Sequence, residues 1–180
     1  LSPEIGTVDL KKLKINSQAI TAIGNVDLLN HHKTGLLCSR KCPAEKILDA
    51  VDLFKEWAKE ARTVVSGFHS PVERECLKII LKSSGRAIVC PARGIGKMRI
   101  PSEWKKPIAD GRLLIASPFD ESTPRATATT AQERNNFVVT LADEVIVIHA
   151  ESGSKLAELA HAHQNGTEGN VVFPAPRVTQ

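Results

Sequence analysis

Residues 63–90 read "TVVSGFHSPVERECLKIILKSSGRAIVC". An apolar, β-branched run, "TVVS" at 63–66, leads through a polar turn into a helical repeat, and a second apolar run, "AIVC" at 87–90, follows. Ser70 is suited to cap a helix, Pro71 to be its first residue, and Glu73 to complete a capping box with Ser70. The pattern predicts strand, helix, strand. Both runs are short and apolar on both faces, as buried parallel strands are. Parallel strands joined through a helix are the repeating unit of an α/β fold.

The same alternation extends outward in both directions. Further strand-like runs are "GLLC" at 35–38, "LLIA" at 113–116, "EVIVI" at 144–148 and "VVF" at 171–173. Helical segments lie at 44–60, 71–83, near 102–110, at roughly 126–141 and at 154–164. In the first of these, Ile47, Val51, Phe54 and Ala58 recur at helical spacing and mark a core face. The expected fold is α/β, Rossmann-like and doubly wound, with a mainly parallel sheet and helices on both faces. Residues 1–30 are less regular and read as an N-terminal extension or an added strand, which leaves 31–180 as a single domain.

Composition excludes several classes. Of 180 residues, 42% are hydrophobic and 24% charged, the balance of a globular domain rather than a disordered or membrane-spanning chain. No apolar run approaches the ~20 residues needed to cross a bilayer, and no secretory signal opens the chain. A cytoplasmic protein without membrane contact is expected. Cys38, Cys42, Cys76 and Cys90 form no metal-binding pattern with the six histidines. They read as reduced, partly buried thiols, and no metal or cofactor is expected. Between Arg86 and Arg112, seven basic residues face two acids, a net of +5 that accounts for the whole excess of the +4 chain. This stretch is either a footprint for a polyanion or a solvated loop.

In open α/β sheets, ligands bind beyond the carboxyl ends of the strands, and the polar residues cluster there. "SRKC" at 39–42 offers Ser39 and Arg40, the latter able to grip a phosphate bidentately. In "SGFHSPVE" at 66–73, Ser66 and Gly67 allow close backbone approach, Ser70 starts the helix, and His69 either contacts a ligand or packs. "ESGSK" at 151–155 places Ser152, Gly153 and Ser154 at a strand-to-helix corner, as an anion cradle or a plain helix cap. Arg134 and Asn135 fall on a polar helix stripe in "AQERNNF" at 131–137. No phosphate-loop, dinucleotide or Ser-His-Asp pattern occurs, and no residue is assigned a catalytic role.

Taken in order, "CSR" at 38–40, "SGFHSPVE" at 66–73, "CPARGIGKMRIP" at 90–101, "ERNNF" at 133–137 and "ESGS" at 151–154 resemble the motifs of the DNA-processing protein A (DprA/Smf) family, whose Rossmann-like domain belongs to a superfamily that includes the lonely-guy phosphoribohydrolases. The similarity covers roughly residues 25–175. It implies binding of single-stranded DNA in DNA uptake or recombination, a recombinase partner and homo-oligomers. The polar loops that converge on the rim would hold a phosphate near Ser39, Arg40, Ser66, Gly67, Ser70, Ser152, Gly153 and Ser154, with His69, Arg134 and Asn135 lining the approach. A basic patch would comprise Arg93, Lys97, Arg99, Lys105 and Lys106. The chain departs from the family's pattern at Cys38, which replaces a Gly, and at Asn136, which replaces an Arg. "FHSPVE" loses an Arg and a Gly and gains His69. A small-molecule nucleotide or nucleotide-derivative module, of sensor type, is therefore the alternative. A phosphoribohydrolase comes third, because the P-G-G of that motif is absent and Glu158 stands four residues after Ser154 rather than three.

Overall fold

A computed structural model describes residues 9–164 and 171–172. Its strands are β1 (Leu10–Ile15), β2 (Gln18–Gly24), β3 (Lys33–Cys38), β4 (Thr63–Ser66), β5 (Arg86–Val89), β6 (Leu113–Ser117), β7 (Glu144–His149) and β8 (Val171–Val172). Its helices are α1 (Ala44–Lys59), α2 (Pro71–Lys82), α3 (Ser102–Ala109), α4 (Ala128–Leu141) and α5 (Lys155–Gln164). All eight strands join one sheet in the order β1-β2-β6-β5-β4-β3-β7-β8. From β6 to β8 every pairing is parallel, whereas β1 and β2 pair antiparallel and extend the sheet beyond β6.

Successive strand residues divide between two cores, as the period of two requires. Leu36, Val64, Val89 and Ile115 meet Phe54 and Trp57 of α1 and Val72, Cys76, Leu77 and Ile80 of α2. Their chain neighbours Leu37, Val65, Ile88 and Leu114 meet Phe137, Val138 and Leu141 of α4 and Leu156 of α5. Trp104 and Ile108 of α3 pack against the first cluster. The fold is thus doubly wound, with α1, α2 and α3 on one face and α4 and α5 on the other, as the alternating runs predict. The core face of α1 needs a correction. Val51 is only half buried, and the buried residues are Ala50, Phe54, Trp57 and Ala58. At about 100° per residue, Val51 and Trp57 fall on opposite margins of one stripe, and the indole of Trp57 draws the contact to its own side.

Of the N-terminal region, residues 10–24 form the β1–β2 hairpin. Residues 1–8, and Phe173 of the expected last strand, lie outside the described residues. Asn16 and Ser17 link Ile15 to Gln18 with φ of 47° and 68°. Two positive φ values make this the hairpin turn whose twist matches that of its strands. Lysines at 11, 12 and 14 line β1, where an outer strand benefits from charge.

Strand order determines where a ligand fits. From β3 the chain winds through β4, β5 and β6 on one side, then returns to lay β7 and β8 on the other. The winding reverses between β3 and β7, the switch point beside which open α/β sheets hold ligands in a crevice. At the opposite edge, Lys33 pairs with Asp143 at 2.9 Å and Arg62 with Glu144 at 3.0 Å, joining the starts of β3, β4 and β7. Among the described residues, no helix is long and apolar enough to cross a membrane.

Ser17→Gly tests the hairpin. A left-handed conformation costs a non-glycine residue on the order of 1 kcal/mol, so the variant should gain up to about that much stability in chemical denaturation. A loss would show that the Ser17 side chain contributes more than its backbone conformation costs.

Candidate functional site

The carboxyl ends of β3 to β7 form a rim, and Glu73 organises its centre. This carboxylate is 5% exposed. Its Oε1 accepts the N–H of Cys38 at 3.0 Å, and its Oε2 accepts those of His69 and Ser70 at 2.9 and 3.0 Å. Ser70 Oγ accepts the Glu73 N–H at 3.2 Å, closing the capping box. A helix N-terminus with free N–H groups attracts an anion, and here the protein supplies its own. Ser66 is fully buried, and its Oγ accepts the N–H of Phe68. Ser66 and Ser70 therefore point inward and shape the turn, which narrows the set of residues predicted to touch a phosphate. Phe68 is buried with φ of 48°, a conformation bulky residues rarely hold. It leaves His69 exposed on the rim.

Arg134 departs most from the sequence reading. It is not on a surface stripe: it is 6% exposed. Its Nε donates to Asn135 Oδ1 at 2.9 Å and its Nη1 to the Cys90 carbonyl at 3.4 Å. A Cβ on Gly67 would lie 1.8 Å from Nη1, so only glycine admits the guanidinium there. No carboxylate pairs with Arg134 among the described residues. Its Nη2 makes no hydrogen bond among the described residues, and since none of their buried side-chain nitrogens lacks a partner, Nη2 is not fully buried. A buried charge without a counter-ion costs on the order of several kcal/mol. Arg40, on the loop after β3, is exposed and makes no side-chain hydrogen bond or ion pair among the described residues. Partial burial, then the nearby Arg134 and Arg40, push the imidazole of His69 below its usual range; Arg74 adds to this and Glu73 opposes it.

At this switch point the loops after β3 and β7 are hydrogen-bonded to each other. Ser39 N–H donates to the His149 carbonyl at 2.8 Å, and Glu151 N–H donates to Ser39 Oγ at 2.9 Å. The Ser39 hydroxyl hydrogen keeps no acceptor among the described residues. Ser152 and Gly153 are exposed, Gly153 turns with φ of 73°, and Ser154 Oγ caps α5 by accepting the Ala157 N–H at 3.1 Å. This corner is a capped turn, open to solvent at Ser152 and Gly153. The four thiols are free. Burial pushes Cys90 up to about 12, against a lowering by Arg134, and also raises Cys38 and Cys76. These groups are not nucleophiles at neutral pH.

The basic patch divides. Arg93, Lys97 and Arg99 are exposed on the loop after β5, at the rim. That loop is held by Ser117 Oγ, which donates to the Arg93 carbonyl at 2.7 Å, and by Gly94 N–H, which donates to the Thr123 carbonyl at 2.8 Å. Lys105 and Lys106 sit midway along α3, which leads from the loop after β5 back toward the start of β6. Lys106 is paired with Asp110 at 3.0 Å. Arg86 and Arg112 serve the opposite edge, donating to the carbonyls of Ala61 at 2.6 Å and of Ser83 at 3.0 Å. Charge summed along a segment cannot register that α3 reverses its direction. The half-buried Phe119 follows β6 at the rim, an aromatic that the sequence reading did not single out.

Glu73→Gln should lower stability by about 1–3 kcal/mol for each N–H left without an acceptor, read by chemical denaturation. An unchanged midpoint would show that the three bonds contribute nothing net.

No curated protein sequence matches the chain. Among solved structures, DNA processing protein A of Helicobacter pylori, which has a unique single-stranded DNA binding mode, superposes with a TM-score of 0.74 at 18% identity, over 96% of this chain and 84% of that one. DNA processing protein A of Streptococcus pneumoniae gives 0.71 at 18% identity, over 96% and 65%; the chain spans less than two thirds of that protein. The molybdenum cofactor binding protein of Rippkaea orientalis gives 0.53 at 17% identity, over 79% and 75%. At such identities the likeness is one of fold. The sequence itself matches a family over nearly its whole length: by residues 4–178, the chain belongs to the DNA recombination-mediator protein A family.

Proposed function

We propose that the rim binds single-stranded DNA through its phosphates, as part of DNA recombination or uptake. The observation that carries this reading is Arg134, a guanidinium 6% exposed with no carboxylate partner among the described residues and one free nitrogen. A phosphate oxygen supplies the missing anion. Arg40 and the Ser39 hydroxyl stand on the neighbouring loop, and the open backbone of 152–154 lies across the crevice. Arg93, Lys97 and Arg99 offer a continuation along which a strand's backbone runs, and Phe119 a face on which a base stacks. Family membership and the single-stranded DNA binding of the Helicobacter pylori relative support the same reading. On this reading the protein works in the cytoplasm, self-associates and hands the strand to a recombinase. A mononucleotide or nucleotide derivative is the second reading, favoured by the burial of Phe54, Trp57, Phe68 and Phe137, which leaves few stacking faces.

Fluorescence anisotropy with oligo(dT) of increasing length, with a mononucleotide as competitor, separates the two. Single-stranded DNA binding predicts affinity that grows with length and falls with salt. Displacement by the mononucleotide, with no dependence on length, supports the second reading. Arg40→Ala should weaken binding about tenfold or more, the value of one charge-assisted contact. Neutralising Arg93, Lys97 and Arg99 together should reduce the salt slope by about 2. Reversing Lys105 and Lys106 should change little, because α3 leads away from the rim. A large loss from that reversal would place the strand on α3 instead.

A further inference from the structure

His69 is the residue that the resemblance to the family does not account for. It occupies the turn between β4 and α2, where Phe68 with φ of 48° and the grip of Glu73 on the His69 N–H at 2.9 Å hold it on the rim. Its imidazole is exposed, but the groups that act on it come from three elements. Arg40 faces it from the loop after β3, Arg134 from α4, and Arg74 and Glu73 from α2. Partial burial disfavours the charged ring first, and three cations against one carboxylate that three N–H groups already engage disfavour it further. In the empty site the imidazole is therefore neutral at neutral pH.

A phosphodiester seated between Arg40 and Arg134 acts against the charge part of that balance. It brings a negative charge that offsets the two arginines and accepts a hydrogen bond from a protonated ring. Given the phosphate reading of the rim, we propose that His69 is a proton-linked contact: it takes up a proton as a phosphodiester binds, so that affinity rises as pH falls. The sign follows from linkage. A ligand that favours the protonated form binds more tightly wherever the ring is neutral when free and charged when bound. In that window affinity gains up to about tenfold per pH unit. It levels off below the free ring's titration, which lies under the usual 6.5, and above that of the bound ring.

The test is anisotropy of labelled oligo(dT) between about pH 5 and 8 at constant ionic strength, with wild type, His69→Gln and His149→Gln. The dinucleotide TpT serves as the small phosphodiester competitor, because its phosphate does not titrate in this range. His149 ends β7 at the same rim and controls for histidine titration in general. The expected result is affinity that rises as pH falls in the wild type and His149→Gln proteins, and a flat profile in His69→Gln. Calorimetry in two buffers of different ionisation enthalpy should show uptake of up to one proton in the wild type and none in His69→Gln. A pH slope unchanged in His69→Gln, or a flat wild type that still binds oligo(dT), overturns the role of His69 alone. No binding of oligo(dT) or TpT at any pH overturns the phosphate reading together with it. Equal slopes for TpT and oligo(dT) assign the linkage to a single phosphate; a slope seen only with long strands means that protons are taken up elsewhere and overturns the proposal.

Discussion

One carboxylate sets the geometry of the rim. Glu73 draws the N–H groups of Cys38, His69 and Ser70 onto its two oxygens, so the end of β3 and the start of α2 are tied through a single buried side chain. An ionised acceptor makes hydrogen bonds roughly twice as strong as neutral ones, and the helix N-terminus favours the charge it carries. Because Glu73 completes this position, the anion-binding capacity left in the rim lies elsewhere: at Arg40, Arg134 and the loops flanking the β3–β7 crevice.

The consequences spread through the neighbouring loops. With β3 and α2 fixed, the turn between β4 and α2 is forced into the strained conformation seen at Phe68, and Gly67 leaves room for Arg134 to reach under it. Strain of this kind persists only where surrounding structure over-determines it. The capping box, the buried phenyl ring and the guanidinium together do so. The result is a cationic floor below a rim on which His69 and Arg40 are exposed, with the loops after β3 and β7 joined at Ser39.

The architecture was legible because burial leaves a local trace. Six parallel strands and five helices show as alternating apolar runs and helical repeats, and Ser70, Pro71 and Glu73 announce the start of α2 within four residues. The β1–β2 hairpin was harder to see, because its turn is Asn-Ser rather than Asn-Gly and its strands carry three lysines. The polar loops fell at the strand ends as expected, but which of their residues face a ligand did not follow. Ser66 and Ser70 have the same composition as Ser39 and Ser152, and only their burial separates them.

What the sequence by itself determined was the α/β alternation, the helix caps and the family, since each rests on residues a few positions apart. The tertiary structure alone decided the rest. Cys38 and Glu73 are 35 residues apart, Cys90 and Arg134 44, and Ser39 and Glu151 112. Periodicity cannot encode a contact across such distances. The reversal of strand order between β3 and β7 sets the loops of Ser39 and Glu151 side by side, while packing of α2 and α4 on the sheet brings in Glu73 and buries Arg134 with no counter-ion among the described residues.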